Sequence, residues 1–142
     1  MAAALFKRIL REKGLFEGWK VASAGTWSLH EQPAAEKTQH VLRNRGIDIS
    51  HHRSMSIDYQ LISSFDLVLT MEEGQKEALR AEFPDFASKI ILLSEVCGDV
   101  VEISDPMGQP LVDFEDTANQ IESYLIRGFE KILELTNVRS GN

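Results

Sequence analysis

Two short, wholly apolar runs, DLVLTM at residues 66–71 and KIILL at residues 89–93, constrain this chain more than anything else in it. Each is too short for a buried helix and rich in β-formers, and neither alternates apolar with polar residues. Each therefore reads as a strand covered on both faces. Between them, Glu72 to about Phe83 reads as a helix ended by Pro84. Short apolar strands separated by helices imply parallel pairing with helices on both faces of the sheet. The predicted fold class is α/β, a doubly wound parallel sheet.

The alternation extends on either side. Leu5, Phe6, Ile9 and Leu10 recur at helical spacing with Lys7, Arg8, Arg11 and Glu12 opposite, which predicts an amphipathic helix closed by Gly14. No Ser, Thr, Asp or Asn stands before Ala2 to cap it, so its first N–H groups have no evident partners. WKVASAG (Trp19 to Gly25) predicts a further strand, and Pro33 is well placed to open a helix running to Arg45, closed by Gly46. GIDISHHRSMS reads as irregular, DYQLISSF as a short helical turn, and SEVCGDVVEISDPMGQPLVD as a long loop. Ile121, Leu125, Phe129 and Ile132 then mark one final helix.

A length of 142 residues predicts one domain, and no repeat, low-complexity tract or linker divides it. A net charge of -7 argues against nucleic acid or an anionic membrane as partner, since either needs a basic face. No apolar run approaches spanning length and no cleavable leader is visible, so the expected location is the cytoplasm. The single cysteine, Cys97, fits a reducing compartment and excludes an internal disulfide or a CxxC site.

In doubly wound sheets, ligands bind beyond the carboxyl ends of the strands, here SAGTW, TMEEG and LSEVCGDVVEISDP. On that face Asp105, in SDPMG, could serve as a general acid held extended by Pro106, although Asp-Pro is also an ordinary turn initiator. Trp27, after SAGT, could form an aromatic wall or simply cover a helix end. His51 and His52 are adjacent and have no partner at zinc-like spacing, so neither metal nor cofactor is expected. Cys97 fails as a nucleophile. Glu95, Asp99 and Glu102 surround it with charge that repels phosphate and disfavours a thiolate, and no Arg is placed to hold phosphate oxygens.

Taken in order, MAAALF, SAGTW, VLRNRGIDIS, HHRS, FDLVLTM, LRAEFP, KIILL and SDPMG resemble the low-molecular-weight protein tyrosine phosphatase family, most nearly its bacterial branch, from residue 1 to about residue 135. The resemblance implies a phosphotyrosine phosphatase I-like fold and phosphomonoester hydrolysis through a phosphocysteine. It matches Asp105 to the general acid that protonates the leaving oxygen and later activates water. The implied partner is a phosphorylated protein or a small aryl phosphate. Trp27 and Met107 would flank the substrate, Met107 standing where many relatives have a tyrosine.

The resemblance also implies a first strand and a Cys-x5-Arg loop immediately before the helix that begins at Met1, with the loop's phosphate seated on that helix N-terminus. Of that site this chain offers only the N–H groups of Met1, Ala2 and Ala3, and the residue six beyond Cys97 is Ile103, not Arg. The expectation is a single domain over residues 1–142, N-terminally incomplete and lacking its nucleophile. It would be inactive as given and could form a segment-swapped homodimer through strand edges left unpaired. Two other readings are a non-catalytic relative that binds or regulates and, last, an arsenate reductase. The second needs cysteines that MEEGQKEALRAEF does not have.

Overall fold

The computed structural model describes residues 1–24, 35–52 and 55–140. Its helices are α1 (Ala2–Glu12), α2 (Glu36–Asn44), α3 (Tyr59–Ser63), α4 (Glu73–Glu82), α5 (Leu111–Arg127) and α6 (Phe129–Ser140), and its strands are β1 (Val68–Thr70) and β2 (Ile90–Leu92). These elements group into two compact units, Met1–Ile57 with Pro106–Glu122, and Asp58–Asp105 with Ser123–Asn142.

The second unit holds the sheet. β1 and β2 run parallel with Val68 opposite Ile90, Leu69 opposite Ile91 and Thr70 opposite Leu92. Ile90 and Leu92 are fully buried, and buried Thr70 satisfies its hydroxyl by donating to the Ile91 carbonyl at 3.0 Å. The crossover is α4. Gln75 Oε1 accepts from the N–H groups of Met71 (3.2 Å) and Glu72 (3.3 Å), so a side chain supplies the partner that helical geometry denies them. Leu79 and Phe83 are buried, and Pro84 opens a 3-10 turn, Pro84–Lys89, that leads into β2. The ammonium of buried Lys89 donates to the Phe65 carbonyl and lies 4.4 Å from the Phe86 ring centroid.

In the first unit, α1 buries the four residues its periodicity selects, Leu5, Phe6, Ile9 and Leu10. Phe6 meets Trp19 edge to face at 5.5 Å, and Val41 of α2 clusters with Phe114 and Ala118 of α5. Charged side chains tie the same elements together. Arg8 donates to Glu122 (2.6 Å) and to the Arg45 carbonyl (2.7 Å), and Arg45 donates to Asn119 (2.7 Å) and Glu115 (3.3 Å).

Three expectations need correction. Residues 19–24 form no strand ladder, although Trp19, Val21 and Ser23 are half-buried while Lys20, Ala22 and Ala24 are exposed. The segment keeps the period of a strand, but a strand also requires neighbouring backbone to bond with, and none pairs with it among the described residues. The final helix is two helices broken at Gly128, and the first begins ten residues before Ile121, at Leu111. Leu111 and Val112 are exposed, so the apolar period starts only at Phe114 and hides the first turn. The long loop is also shorter than its sequence suggests, because Leu93–Cys97 forms a 3-10 turn.

Candidate active site

The segment that carries Asp105 is built from the end of β2 outward. The Leu93–Cys97 turn stops at Gly98, whose φ of +79° places it in the left-handed region where a side chain is disfavoured. The chain then doubles back past its own start. Ser94 Oγ donates to the Val101 carbonyl (2.8 Å) and accepts from the Val101 N–H (3.0 Å). Glu102 Oε1 accepts from the N–H of Glu73 (2.8 Å), the first residue of α4, where a carboxylate also meets the positive end of the helix dipole. The Ile103 N–H donates to the Met71 carbonyl (2.9 Å), one residue past β1, and its side chain is buried. Asp105 follows two residues later, exposed, at the carboxyl end of the strand.

A second charged contact braces the base of this segment. Lys76 donates to Glu95 Oε1 at 2.7 Å and lies 3.5 Å from Glu73. Burial pushes the Glu95 carboxyl upward, but the hydrogen bonds from Lys76 and the Leu92 N–H and the Lys76 charge hold it below its ordinary value of 4.5. The bond to Glu95 correspondingly raises Lys76.

Beyond Asp105 the chain passes into the first unit. There the Gln109 N–H closes a turn onto the Pro106 carbonyl (2.9 Å), Gly108 sits at a φ of +83°, and Lys37 donates to the Gln109 carbonyl (2.7 Å). Met107, at the tip, is 60% exposed. At the start of α1 no side chain caps the helix, and Met1 packs against Val41, Phe114 and Ala118. Burial lowers the Met1 amino group from its ordinary value. A cavity of about 380 Å³ lies beside this helix, lined by Met1, Lys7, Arg11, Ser23, Asp48 and His52 among others.

The sequence-predicted site residues thus divide. Met1, Ala2, Ala3 and Met107 belong to the first unit and Asp105 to the second, while Trp27 lies outside the described residues. Cys97 is half-buried, and its thiol donates to the Tyr124 carbonyl at 3.5 Å. Ser94 and Glu102 anchor the segment that leads to Asp105, and that anchoring escaped the sequence reading. Only the position of Ser94, a small polar residue directly after KIILL, could have signalled it.

A family model described as low molecular weight phosphotyrosine protein phosphatase matches residues 1–137. The chain belongs to that family. A probable low molecular weight protein-tyrosine-phosphatase, EpsP, of Ralstonia nicotianae is 32% identical over 122 residues, 86% of this chain and 79% of that protein. A protein-arginine-phosphatase of Geobacillus stearothermophilus is 30% identical over 133 residues, 93% of this chain and 86% of that protein. The crystal structure of a low molecular weight protein tyrosine phosphatase from T. tengcongensis superposes with a TM-score of 0.85 at 31% identity, covering 92% of this chain and 88% of the other. The α/β fold read from the apolar runs is the fold of these phosphatases.

Proposed function

We propose that Asp105 is the general acid and base of a phosphomonoesterase reaction that proceeds through a phosphocysteine. The observation that carries this reading is the bond from the Ile103 N–H to the Met71 carbonyl, two residues before an exposed carboxyl group in a chain of this family. It supports Asp105 as the group at the strand-end face that gives a proton to the leaving oxygen and then takes one from the attacking water. The substrate is a phosphorylated protein or a small aryl phosphate. Relatives named for tyrosine and for arginine dephosphorylation stand at 32% and 30% identity.

The reading assigns the N–H groups of Met1, Ala2 and Ala3 to one side of the phosphate and places Trp27 and Met107 beside the substrate. The reading excludes Cys97 as the nucleophile, because the residue six positions on, where the motif has Arg, is buried Ile103. The reading makes this chain one phosphatase-like domain whose reaction requires a Cys-x5-Arg loop, a pattern that residues 1–142 do not contain. The companion expectations are a cytoplasmic setting with no nucleic acid or membrane partner. Among the described residues, no helix is long and apolar enough to cross a membrane. The sheet has only two strands there, so exchange of segments with a second copy could complete its edges.

The test compares residues 1–142 with the same chain joined to a Cys-x5-Arg loop at Met1. The first should release no phosphate from an aryl phosphate and form no phosphocysteine. The second should turn over, and Asp105→Asn should slow it by about 10²- to 10⁴-fold. Turnover by residues 1–142 that Asp105→Asn abolishes would overturn the assignment of the nucleophile. Indifference of the extended chain to Asp105→Asn would overturn that of the acid, and a lack of turnover in both chains would favour a non-catalytic relative.

A further inference from the structure

We propose that the cavity beside α1 is a binding site for a small anion with an apolar body, such as an aryl or alkyl carboxylate, sulfonate or phosphate. Its lining lies wholly within the first unit, and the inference is independent of the role given to Asp105. The volume of about 380 Å³ falls in the range of small-molecule sites, about 300–1,000 Å³. One wall is α1. Ala4, Lys7 and Arg11 follow one another at helical spacing on one face, so this wall runs for about 10 Å along the axis and carries two cations. Small side chains at Ala3 and Ala4 leave room beside the helix, and Val21, Ile47 and Ile49 add apolar lining. Ser23 Oγ and His52 Nε2, 3.5 Å apart, add a hydroxyl and an imidazole.

The charge of the lining decides the sign of the ligand. In a chain of net charge -7, the cavity sets Lys7 and Arg11 against one carboxylate, Asp48. That carboxylate is answered locally. The Ser50 N–H donates to it at 2.9 Å, and hydrogen bonds from Ser50 together with the His51 and Arg43 charges hold it below its ordinary value of 3.8. The cations are not answered in the same way. Lys7 makes no hydrogen bond or ion pair among the described residues, and there the Arg11 guanidinium engages only the Phe16 ring, 4.3 Å from its centroid. Lys7 is half-buried, so its charge is screened less than one in open water and favours an anion laid along the wall. The apolar lining favours a ligand that also brings hydrocarbon, because a bare inorganic ion would lose hydration without burying apolar surface.

The test is an NMR titration of residues 1–142 with naphthalene-2-sulfonate. Amide shifts at Ala4, Lys7 and Ile49 should saturate together. Lys7→Gln and Arg11→Gln should each weaken binding about three- to tenfold. Lys131→Gln is the control, since it removes a surface lysine of the second unit that pairs with Glu134, and it should leave the affinity unchanged. 2-Naphthol keeps the rings without the charge and inorganic sulfate keeps the charge without the rings; each should bind about tenfold more weakly or less. Absence of saturable shifts at the three amides, or affinity untouched by both α1 variants, would overturn the proposal. Equal affinity for 2-naphthol would refute the anionic requirement, and equal affinity for sulfate the apolar one. Shifts confined to Met1, Ala2 and Ala3 would place the anion at the helix end and refute the cavity. Should an α1 variant fail to fold, the three probes on the unsubstituted chain still decide. Turnover is read in none of these measurements, so this site can fail while Asp105 remains the acid, and the acid can fail while the site stands.

Discussion

Gly128 separates α5 from α6, and its replacement by alanine tests why the long C-terminal helix breaks. Its φ is not positive, so conformational freedom is not what the position requires. A Cβ there would lie 2.2 Å from Val96 Cγ2 and 2.9 Å from Val96 Cβ. Carbon atoms rest about 3.5–4.0 Å apart, so the overlap with the methyl is about 1.3 Å or more, and both atoms belong to a branched side chain that is itself buried. On helix propensity alone Gly128→Ala would stabilise by about 1 kcal/mol. Overpacking a tight core costs about 1–3 kcal/mol, and an overlap this large falls at the upper end. The net expectation is a loss of about 1–2 kcal/mol, a lower urea midpoint at unchanged slope, and a Tm lower by roughly 4–8 °C. Val96→Ala removes the nearer atom, so Gly128→Ala should cost about 1 kcal/mol less in that background. A Gly128→Ala protein as stable as the unsubstituted chain, or equal penalties in both backgrounds, would refute the packing argument and leave the helix break to its sequence.

Acid should weaken the second unit through Glu95. Its carboxyl lies below 4.5 in the folded chain, so the pair's contribution is fully present above about pH 4.5 and is lost as pH falls through the folded value. Lys76→Met should remove about 1 kcal/mol at pH 7 and flatten urea midpoints between pH 5 and pH 3; an unaltered pH slope would show that the pair is not their source. At the alkaline end the raised Lys76 loses its contribution as pH climbs through its folded value above 10.5. In the first unit, Arg45→Met should cost about 1–3 kcal/mol, because its 18% exposed side chain serves Glu115, Asn119 and Glu122. Arg45→Lys should recover less than half, since an ammonium cannot reproduce the fork, and full recovery in denaturant melts would reduce the cluster to a point-charge effect.

The elements legible from sequence were those whose burial is continuous or follows a clean helical period. KIILL and DLVLTM are short apolar runs with no exposed residue within either strand, so apolarity alone reveals them, and α1 shows its face because Leu5, Phe6, Ile9 and Leu10 are all buried together. Legibility failed where one requirement of an element was present without the other. Residues 19–24 have strand periodicity without a paired neighbour, and the first turn of α5 has helical hydrogen bonding without a buried side chain to mark it. Gly128 illustrates a third case. The room for a side chain there is taken by Val96, 32 positions earlier in the sequence, and no local pattern encodes a contact at that separation.

The candidate site follows the same division between what a residue is and what holds it. Asp105 is a candidate from the sequence because a carboxyl group beside a proline, after the last apolar run, is chemically conspicuous. Its support is not legible there, since Ser94, Glu102 and the Met71 carbonyl are ordinary groups whose value lies only in where the chain returns. Asp105 itself is exposed. The backbone before it is anchored at each of residues 101–103. For the role proposed above, an exposed carboxyl group that follows an anchored segment meets a substrate from solvent while its backbone is held, which is the combination that proton transfer at a fixed leaving oxygen demands.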